Sequence, residues 1–178
     1  MFLRERKLIG VAALFLVVSC ERNSSDPIAE FLKNKQAAVF VFLAPDCPLS
    51  QNYTRTLNEL RTQFQSQRVE FYAVFPGEAA VDDFIATYGL TLPVLLDHDF
   101  RLADFFGAKK TPEVFAVDSK GRAIYHGAID NWAPELGQHR TVITEHYLLD
   151  ALNSFVQHEA VRIKQTNAVG CFIERARR

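Results

Sequence analysis

Cysteine, glycine, proline and net charge are all scarce in this sequence. Its 178 residues include three cysteines, eight glycines and seven prolines, and the formal net charge at pH 7 is -1. With 48% hydrophobic residues, the chain is a poor candidate for disorder and is long enough for one domain with a buried core. The near-neutral charge and the lack of a basic stripe give no support for nucleic acid as a partner.

Metal-ligand spacing is also missing. The five histidines do not have the spacing of a zinc site, either with one another or with the cysteines. Their positions are explained by surface sites or exposed helix faces, and the fifteen phenylalanines are better explained as core residues than as a cofactor site. We therefore expect no metal and no cofactor.

The first twenty residues have the pattern of a targeting segment. Three positive side chains within residues 4–7 precede an apolar run over 8–18 that is too short to span a bilayer. The sequence VVSC that follows resembles a bacterial lipobox, in which the chain is cut before the cysteine and lipid is attached to its sulfur. We expect a signal peptide over 1–19, lipidation of Cys20 and a polar tether over 20–27; an ordinary signal peptide and an uncleaved anchor are the alternatives.

Lipidation of Cys20 would leave two thiols, Cys47 and Cys171, in a compartment where disulfides persist. We expect a lipid-anchored protein of the bacterial cell envelope that faces the periplasm. The sequence does not distinguish the inner from the outer membrane.

Apolar periodicity predicts an alternation of strands and helices that ends in a hairpin and a last helix. The predicted strands cover 37–43, 69–75, 92–97, 112–118 and 122–129. The predicted helices cover 48–67, 77–89, 99–108 and 141–160, the last because apolar residues from Val142 to Val156 recur at helical spacing. Helix-linked strands before a hairpin imply a mixed sheet with helices on both faces, in a domain over 28–157 followed by a C-terminal tail over 158–178.

Cys47 stands between the first strand and its helix, in FLAPDCPLSQNY. A cysteine there lies at the positive end of the helix dipole, where free N–H groups stabilise a thiolate and lower its pKa. Pro48 suits the first helical turn, whereas Asp46 opposes ionisation because it adds a neighbouring negative charge. The position indicates a reactive nucleophile; a small buried apolar residue is the alternative.

Together with this order of elements, two short motifs carry a resemblance to a known fold. Cys47-Pro48-Leu49-Ser50 before the first helix and Thr111-Pro112 at the start of the hairpin resemble the thioredoxin fold, in its redoxin branch of alkyl hydroperoxide reductase-like and thiol-disulfide reductase-like proteins. The late Gly-Cys pair is similar to a redoxin-like family with a C-terminal cysteine. The resemblance implies an α/β three-layer sandwich and a thiol-disulfide oxidoreductase acting on thiols or disulfides of envelope proteins.

The same resemblance implies roles for the loop before the hairpin. It implies a cis peptide bond between Thr111 and Pro112, and a Thr111 backbone that pairs with an extended substrate like an added strand. Lys109 and Lys110 would be nearby cations that favour the thiolate. The substrate-binding residues implied in this way are Thr111, Pro112, Pro48 and Ser50.

Ser50 stands where a Cys-X-X-Cys pair would have its second cysteine. A serine oxygen cannot form a disulfide, which excludes a local dithiol cycle, although its hydroxyl could donate a hydrogen bond to Cys47. Cys171 could replace the missing second cysteine, because the chain from residue 157 to Cys171 can span about 46 Å and could reach Cys47. A disulfide that opens and closes would make Cys171 a resolving thiol; a permanent one would close a long loop and contribute about 4 to 5 kcal/mol of stability.

Two other functions remain open. Typical peroxiredoxins place a threonine or serine three residues before the reactive cysteine and a proline four before that, and Ala44 and Phe40 stand there instead. The peroxidase pattern is therefore broken, and a thiol peroxidase is the weaker alternative. A non-catalytic binding module with a structural disulfide is the other.

Overall fold

The structure is a computed structural model that describes residues 26–77 and 80–175. The predicted signal peptide, the lipidation site at Cys20 and most of the tether lie outside these residues. In the part of the chain that is described, no helix combines the length and the apolar character needed to cross a membrane.

The strands and helices follow the predicted order, with two additional short strands. The strands are β1 Ala37–Phe42, β2 Val69–Pro76, β3 Val94–Asp97, β4 Lys110–Thr111, β5 Glu113–Asp118, β6 Ala123–Gly127 and β7 Cys171–Phe172. The helices are α1 Pro48–Phe64, α2 Val81–Tyr88, α3 Arg101–Phe106 and α4 Tyr147–Val156, with a short 3-10 turn at Gln65–Gln67.

Five strands form a mixed sheet in the order β3-β2-β1-β5-β6. The pairs β1–β2 and β2–β3 are parallel, whereas β1–β5 and β5–β6 are antiparallel. Every residue of β1 is buried because both faces of the sheet are covered. Val39 and Val41 pack in the cluster that includes Leu57 of α1 and Leu152 of α4. The predicted mixed sheet with helices on both faces is confirmed.

The opposite face of β1 carries Phe40 and Phe42, as the alternation of side chains along a strand requires. These residues pack with Leu102 of α3 and with Ile28 from the turns before β1. The central strand therefore places Cys47, five residues beyond its end, at the edge of two buried layers.

The prediction of a helix from residue 141 was wrong for its first six residues. The last helix begins at Tyr147, and Val142 is 66% exposed instead of lying on an apolar helix face. The Asn131 side chain accepts hydrogen bonds from the N–H groups of Thr144 and Glu145, at 3.1 and 3.3 Å. These bonds hold residues 131–146 as an irregular loop, so apolar spacing alone misplaced the helix start.

The described part of the C-terminal tail, residues 158–175, packs along the domain. It first runs beside β6, where the His126 N–H donates to Lys164 and the Thr166 N–H donates to His126. It then crosses to β4, and Cys171 pairs with Thr111 in a two-stranded antiparallel ladder. The tail therefore brings its cysteine to the loop before the hairpin.

Candidate active site

Cys47 occupies the residue immediately before α1. Its backbone is extended, its carbonyl accepts the Gln51 N–H at 3.1 Å, and Pro48 opens the first helical turn. The Cys47 side chain is 0% exposed and packs with Leu49 and Ala133. Cys47 is therefore buried at the N-terminal end of α1, where the helix dipole is positive, which is the position expected from the sequence.

Three groups surround the Cys47 sulfur. The Cys47 thiol donates a hydrogen bond to the Thr111 carbonyl over 2.9 Å, and the Thr111–Pro112 peptide bond is cis, as expected. Ser50, one helical turn on, and Cys171, from β7, both lie within hydrogen-bonding reach of Cys47. Cys47 and Cys171 are both free thiols. The fold thus brings together two cysteines that are distant in the sequence.

The Cys47 thiol has a lowered pKa despite its burial. Burial alone would raise the pKa, but hydrogen bonds from the Cys171 thiol, from the backbone N–H groups of Ser50 and Cys171 and from the Ser50 hydroxyl outweigh it. The Thr111 carbonyl favours the protonated form, because it accepts from the thiol. The donors therefore stabilise a thiolate, which is the nucleophilic form of cysteine.

The pKa of Cys171 shifts in the opposite direction. Burial, the hydrogen bond that it gives to Cys47, and the negative charges of Cys47 and Asp46 raise the pKa of Cys171 to about 11. The pKa of one thiol of the pair is therefore lowered while the pKa of the other is raised.

Replacement of Cys171 by alanine should raise the pKa of Cys47, because it removes the largest of the contributions that lower this pKa. The pH dependence of Cys47 alkylation by iodoacetamide, followed by mass spectrometry, would measure the shift. Ser50→Ala is the matched comparison and should give a smaller rise, because the hydroxyl contributes least of the four donors. An unchanged alkylation profile in Cys171→Ala would contradict this assignment.

The residues predicted to tune the thiolate lie in different environments. The Lys110 ammonium donates to the Ala168 carbonyl over 2.9 Å and lies 5.6 Å from the centre of the Phe172 ring. Lys109 donates its backbone N–H to Glu113. Asp46 acts on Cys171 by raising its pKa. A direct effect of these three residues on Cys47 stays a prediction, whereas Lys110 has a visible role in holding the tail.

Sequence reasoning missed the residues that hold the loop over Cys47. Tyr53 of α1 donates a buried hydrogen bond of 2.5 Å to Asp130, which accepts the Trp132 N–H over 2.8 Å. The Trp132 ring meets the Tyr53 ring edge to face, with centroids 5.5 Å apart. This arrangement fixes Trp132 and Ala133 beside Cys47. A single tyrosine and a single aspartate, far apart in the sequence, give no pattern that reveals the contact.

Gly170 was also missed as a packing residue. A Cβ at this position would clash with the Thr111 carbonyl and would lie 3.1 Å from the Pro112 nitrogen. Only glycine lets the tail approach the Thr111-Pro112 peptide this closely. The Gly-Cys pair therefore works as a unit, in which the glycine permits the approach and the cysteine reaches Cys47.

No three side chains of histidine, cysteine, aspartate and glutamate within residues 26–77 and 80–175 are grouped so as to hold a metal ion. The nucleophilic side chains at this site include the two free thiols, Cys47 and Cys171. The arrangement is suited to nucleophilic attack by Cys47 on a sulfur atom and to a second attack by Cys171.

Comparisons with known proteins identify a family whose profile matches more than half of the chain. The profile of the AhpC/TSA family matches residues 21–126. The thiol-disulfide oxidoreductase ResA of Bacillus subtilis (strain 168) is 32% identical over 79 residues, which are 43% of this chain and 44% of that protein. The chain therefore aligns with less than half the length of this relative.

Solved structures resemble the chain over more of its length. A hypothetical protein from Sinorhizobium meliloti 1021 has a TM-score of 0.70 at 24% identity and covers 81% of this chain and 82% of its own. A thioredoxin-like protein in the oxidized form has a TM-score of 0.55 at 19% identity and covers 74% of this chain and 84% of its own. The predicted thioredoxin-like fold is confirmed by these similarities.

Proposed function

Because the chain belongs to the AhpC/TSA family, we propose that it is a thiol-disulfide oxidoreductase with Cys47 as nucleophile and Cys171 as resolving thiol. The observation that carries this proposal is the contact between a buried cysteine of lowered pKa and a second cysteine of raised pKa. The relatives named thiol-disulfide oxidoreductase ResA support the same chemistry.

The proposed reaction proceeds by two thiol-disulfide exchanges. The Cys47 thiolate attacks one sulfur of a partner disulfide, forms a mixed disulfide and releases the other partner sulfur as a thiolate that takes up a proton. Cys171 then loses its proton and attacks the Cys47 sulfur, which forms the Cys47–Cys171 disulfide and releases the second partner thiol. Two electrons pass from this chain to the partner, and an external dithiol must return them; the reverse sequence oxidises a partner dithiol.

The contact between the two cysteines also gives a reason for the order of these steps. Cys171 is held protonated partly by its hydrogen bond to Cys47 and by the negative charge of the Cys47 thiolate. Both influences disappear when Cys47 is bound in a mixed disulfide, because its sulfur is then neutral. Formation of the intermediate would therefore lower the pKa of Cys171 and activate the second nucleophile.

The proposal also includes a cellular location. The VVSC motif favours lipid attachment at Cys20, which would tether the domain to the bacterial envelope facing the periplasm. Thiols or disulfides of envelope proteins are then the proposed partners, and the two remaining cysteines would function where disulfides are stable.

Thiol trapping of the mature protein across a graded series of glutathione potentials tests the two-cysteine cycle. Mass spectrometry should show a Cys47–Cys171 disulfide that opens and closes within the range of envelope potentials. Cys47→Ala and Cys171→Ala serve as controls in which this bond cannot form. A bond that never forms would remove Cys171 from the cycle, and a bond that never opens would support a structural disulfide instead.

A further inference from the structure

Access to Cys47 is blocked in this structure. Cys47 is 0% exposed, and the residues packed around it are Ala44, Leu49 from α1, the loop residues Trp132 and Ala133, and Val169 and Cys171 from the tail. A sulfur atom from another molecule can reach Cys47 only if part of this cover moves, because disulfide exchange requires direct contact between the reacting sulfurs.

The tail is the part of the cover that can leave most easily. Leu49 belongs to a helix of seventeen residues, and the Trp132 loop is tied to α1 by the buried Tyr53–Asp130 hydrogen bond. The end of the tail, in contrast, is held by a ladder of two residue pairs, Lys110 with Phe172 and Thr111 with Cys171. A few further contacts join it to the domain: the Lys110 ammonium donates to the Ala168 carbonyl, the Ile173 N–H donates to the Lys109 carbonyl, and Arg175 pairs with Asp104 at the surface. Short segments of this kind open at lower free energy than core helices.

The vacated position has the properties of a site for an added strand. Among the described residues β4 is paired only with β7, so an incoming extended segment that takes the place of Cys171 opposite Thr111 must replace the tail. In addition, Thr111 is 1% exposed, and its hydroxyl oxygen has no hydrogen-bond partner among the described residues. Thr111 also lines a cavity of about 740 Å³ beside Cys171.

We propose that residues 168–173 are an intramolecular stand-in for the substrate, and that the site takes a protein cysteine carried in an extended segment with the order glycine, cysteine, aromatic residue. Partner and tail then compete for β4. This inference rests on the proposed function, because it names the substrate class of the same two-cysteine site.

Two contacts define the sequence order. A partner residue that takes the position of Gly170 must be a glycine, because a Cβ there would clash with the Thr111 carbonyl. The next position carries the sulfur to Cys47. The following side chain, Phe172, is 71% exposed on the domain and lies under the Lys110 ammonium, so an aromatic ring of a partner would meet the same cation.

The test uses the full mature chain and peptides of the tail sequence 167–174, NAVGCFIE, with the cysteine activated as a disulfide with thionitrobenzoate. Attack by Cys47 on the peptide sulfur forms the protein–peptide disulfide and releases coloured thionitrobenzoate. The matched control peptide, NAGVCFIE, has the same composition with glycine and valine exchanged. We expect the native order to react about tenfold faster or more, because valine before the cysteine would misplace the reacting sulfur.

A second arm displaces the tail from its own site. Gly170→Ala should raise the rate with the native peptide about tenfold, because a larger fraction of molecules then has the site open. Rates are compared at a pH above the Cys47 pKa of both proteins, where loss of the Cys171 hydrogen bond no longer changes the thiolate fraction. Glu159→Ala, an exposed substitution in the same tail, should leave the rate unchanged.

The outcomes separate this inference from the proposed function. Equal rates for the two peptides, together with no acceleration in Gly170→Ala, would overturn the inference. In that case, if Cys47 of the wild-type chain still reacts with a small aromatic disulfide, the proposed function is retained. If Cys47 attacks neither the peptides nor the small disulfide in any variant, the proposed function itself fails.

Discussion

Replacement of Cys47 by serine is expected to abolish disulfide exchange, with a loss of turnover on the order of a thousandfold or more. A serine oxygen at this position cannot form the mixed disulfide, and its hydroxyl does not ionise near neutral pH. Turnover of a protein disulfide in the presence of an external dithiol measures the loss. The fold should persist, because serine is close to cysteine in size and Thr111 can still accept its hydrogen bond.

Cys171→Ser provides the matched control. This variant keeps the nucleophile, so a single exposure to disulfide should trap the partner on Cys47 as a mixed disulfide, while repeated turnover falls. Mass spectrometry of the trapped species distinguishes the two variants. Full turnover by Cys47→Ser would contradict the assignment of the nucleophile, and full turnover by Cys171→Ser would remove the resolving role.

Replacement of Phe40 by alanine should lower the free energy of unfolding by about 3 to 5 kcal/mol, the range for a large aromatic side chain removed from a core. Phe40 is 0% exposed, and its ring lies 4.9 Å from that of Phe106, 5.5 Å from that of Tyr72 and 5.8 Å from that of Phe31, between centroids. A cavity in this cluster would lose contacts with all three rings. Urea denaturation followed by circular dichroism measures the change.

Phe105→Ala is the control for this experiment. Phe105 is half exposed and packs mainly against Phe106, so its removal should cost less than about 1 kcal/mol. A Phe40→Ala protein as stable as the control would show that the ring cluster does not support the domain.

The position of Phe40 also bears on the peroxidase alternative. Phe40 packs in the core cluster opposite α1, and Ala44 has only a methyl side chain, while its backbone N–H donates to the Ser50 hydroxyl. Neither residue brings a polar side chain to Cys47. The structure therefore agrees with the sequence in giving little support for binding and polarising a peroxide at this site.

Apolar patterns predicted the part of the fold that packs around β1. The run from Ala37 to Phe42 is buried on both faces, and a continuous apolar run is the expected signal for such a strand. The position of Cys47 before a helix followed from Pro48 and from the apolar spacing after it. The Thr111-Pro112 loop was found by resemblance to a family, because a loop beside a cysteine leaves no periodic signal.

The rest of the site depends on contacts between residues that are far apart in the sequence. The strands β4 and β7 have two residues each, which is too short for an alternating pattern. The reach of the chain allowed Cys171 to meet Cys47, but the chain length alone did not select that contact. The role of Gly170 depends on its closeness to Thr111, and no local preference of glycine indicates a distant carbonyl.

The course of the tail beside β6 has a consequence for solubility. β6 is the last strand of the five-stranded sheet, and the backbone groups of His126 are satisfied by Lys164 and Thr166. A chain cut after α4 would present those groups to solvent as an open sheet edge, a surface on which further strands pair and aggregates grow. The segment that carries the second cysteine thus also shields the domain from self-association.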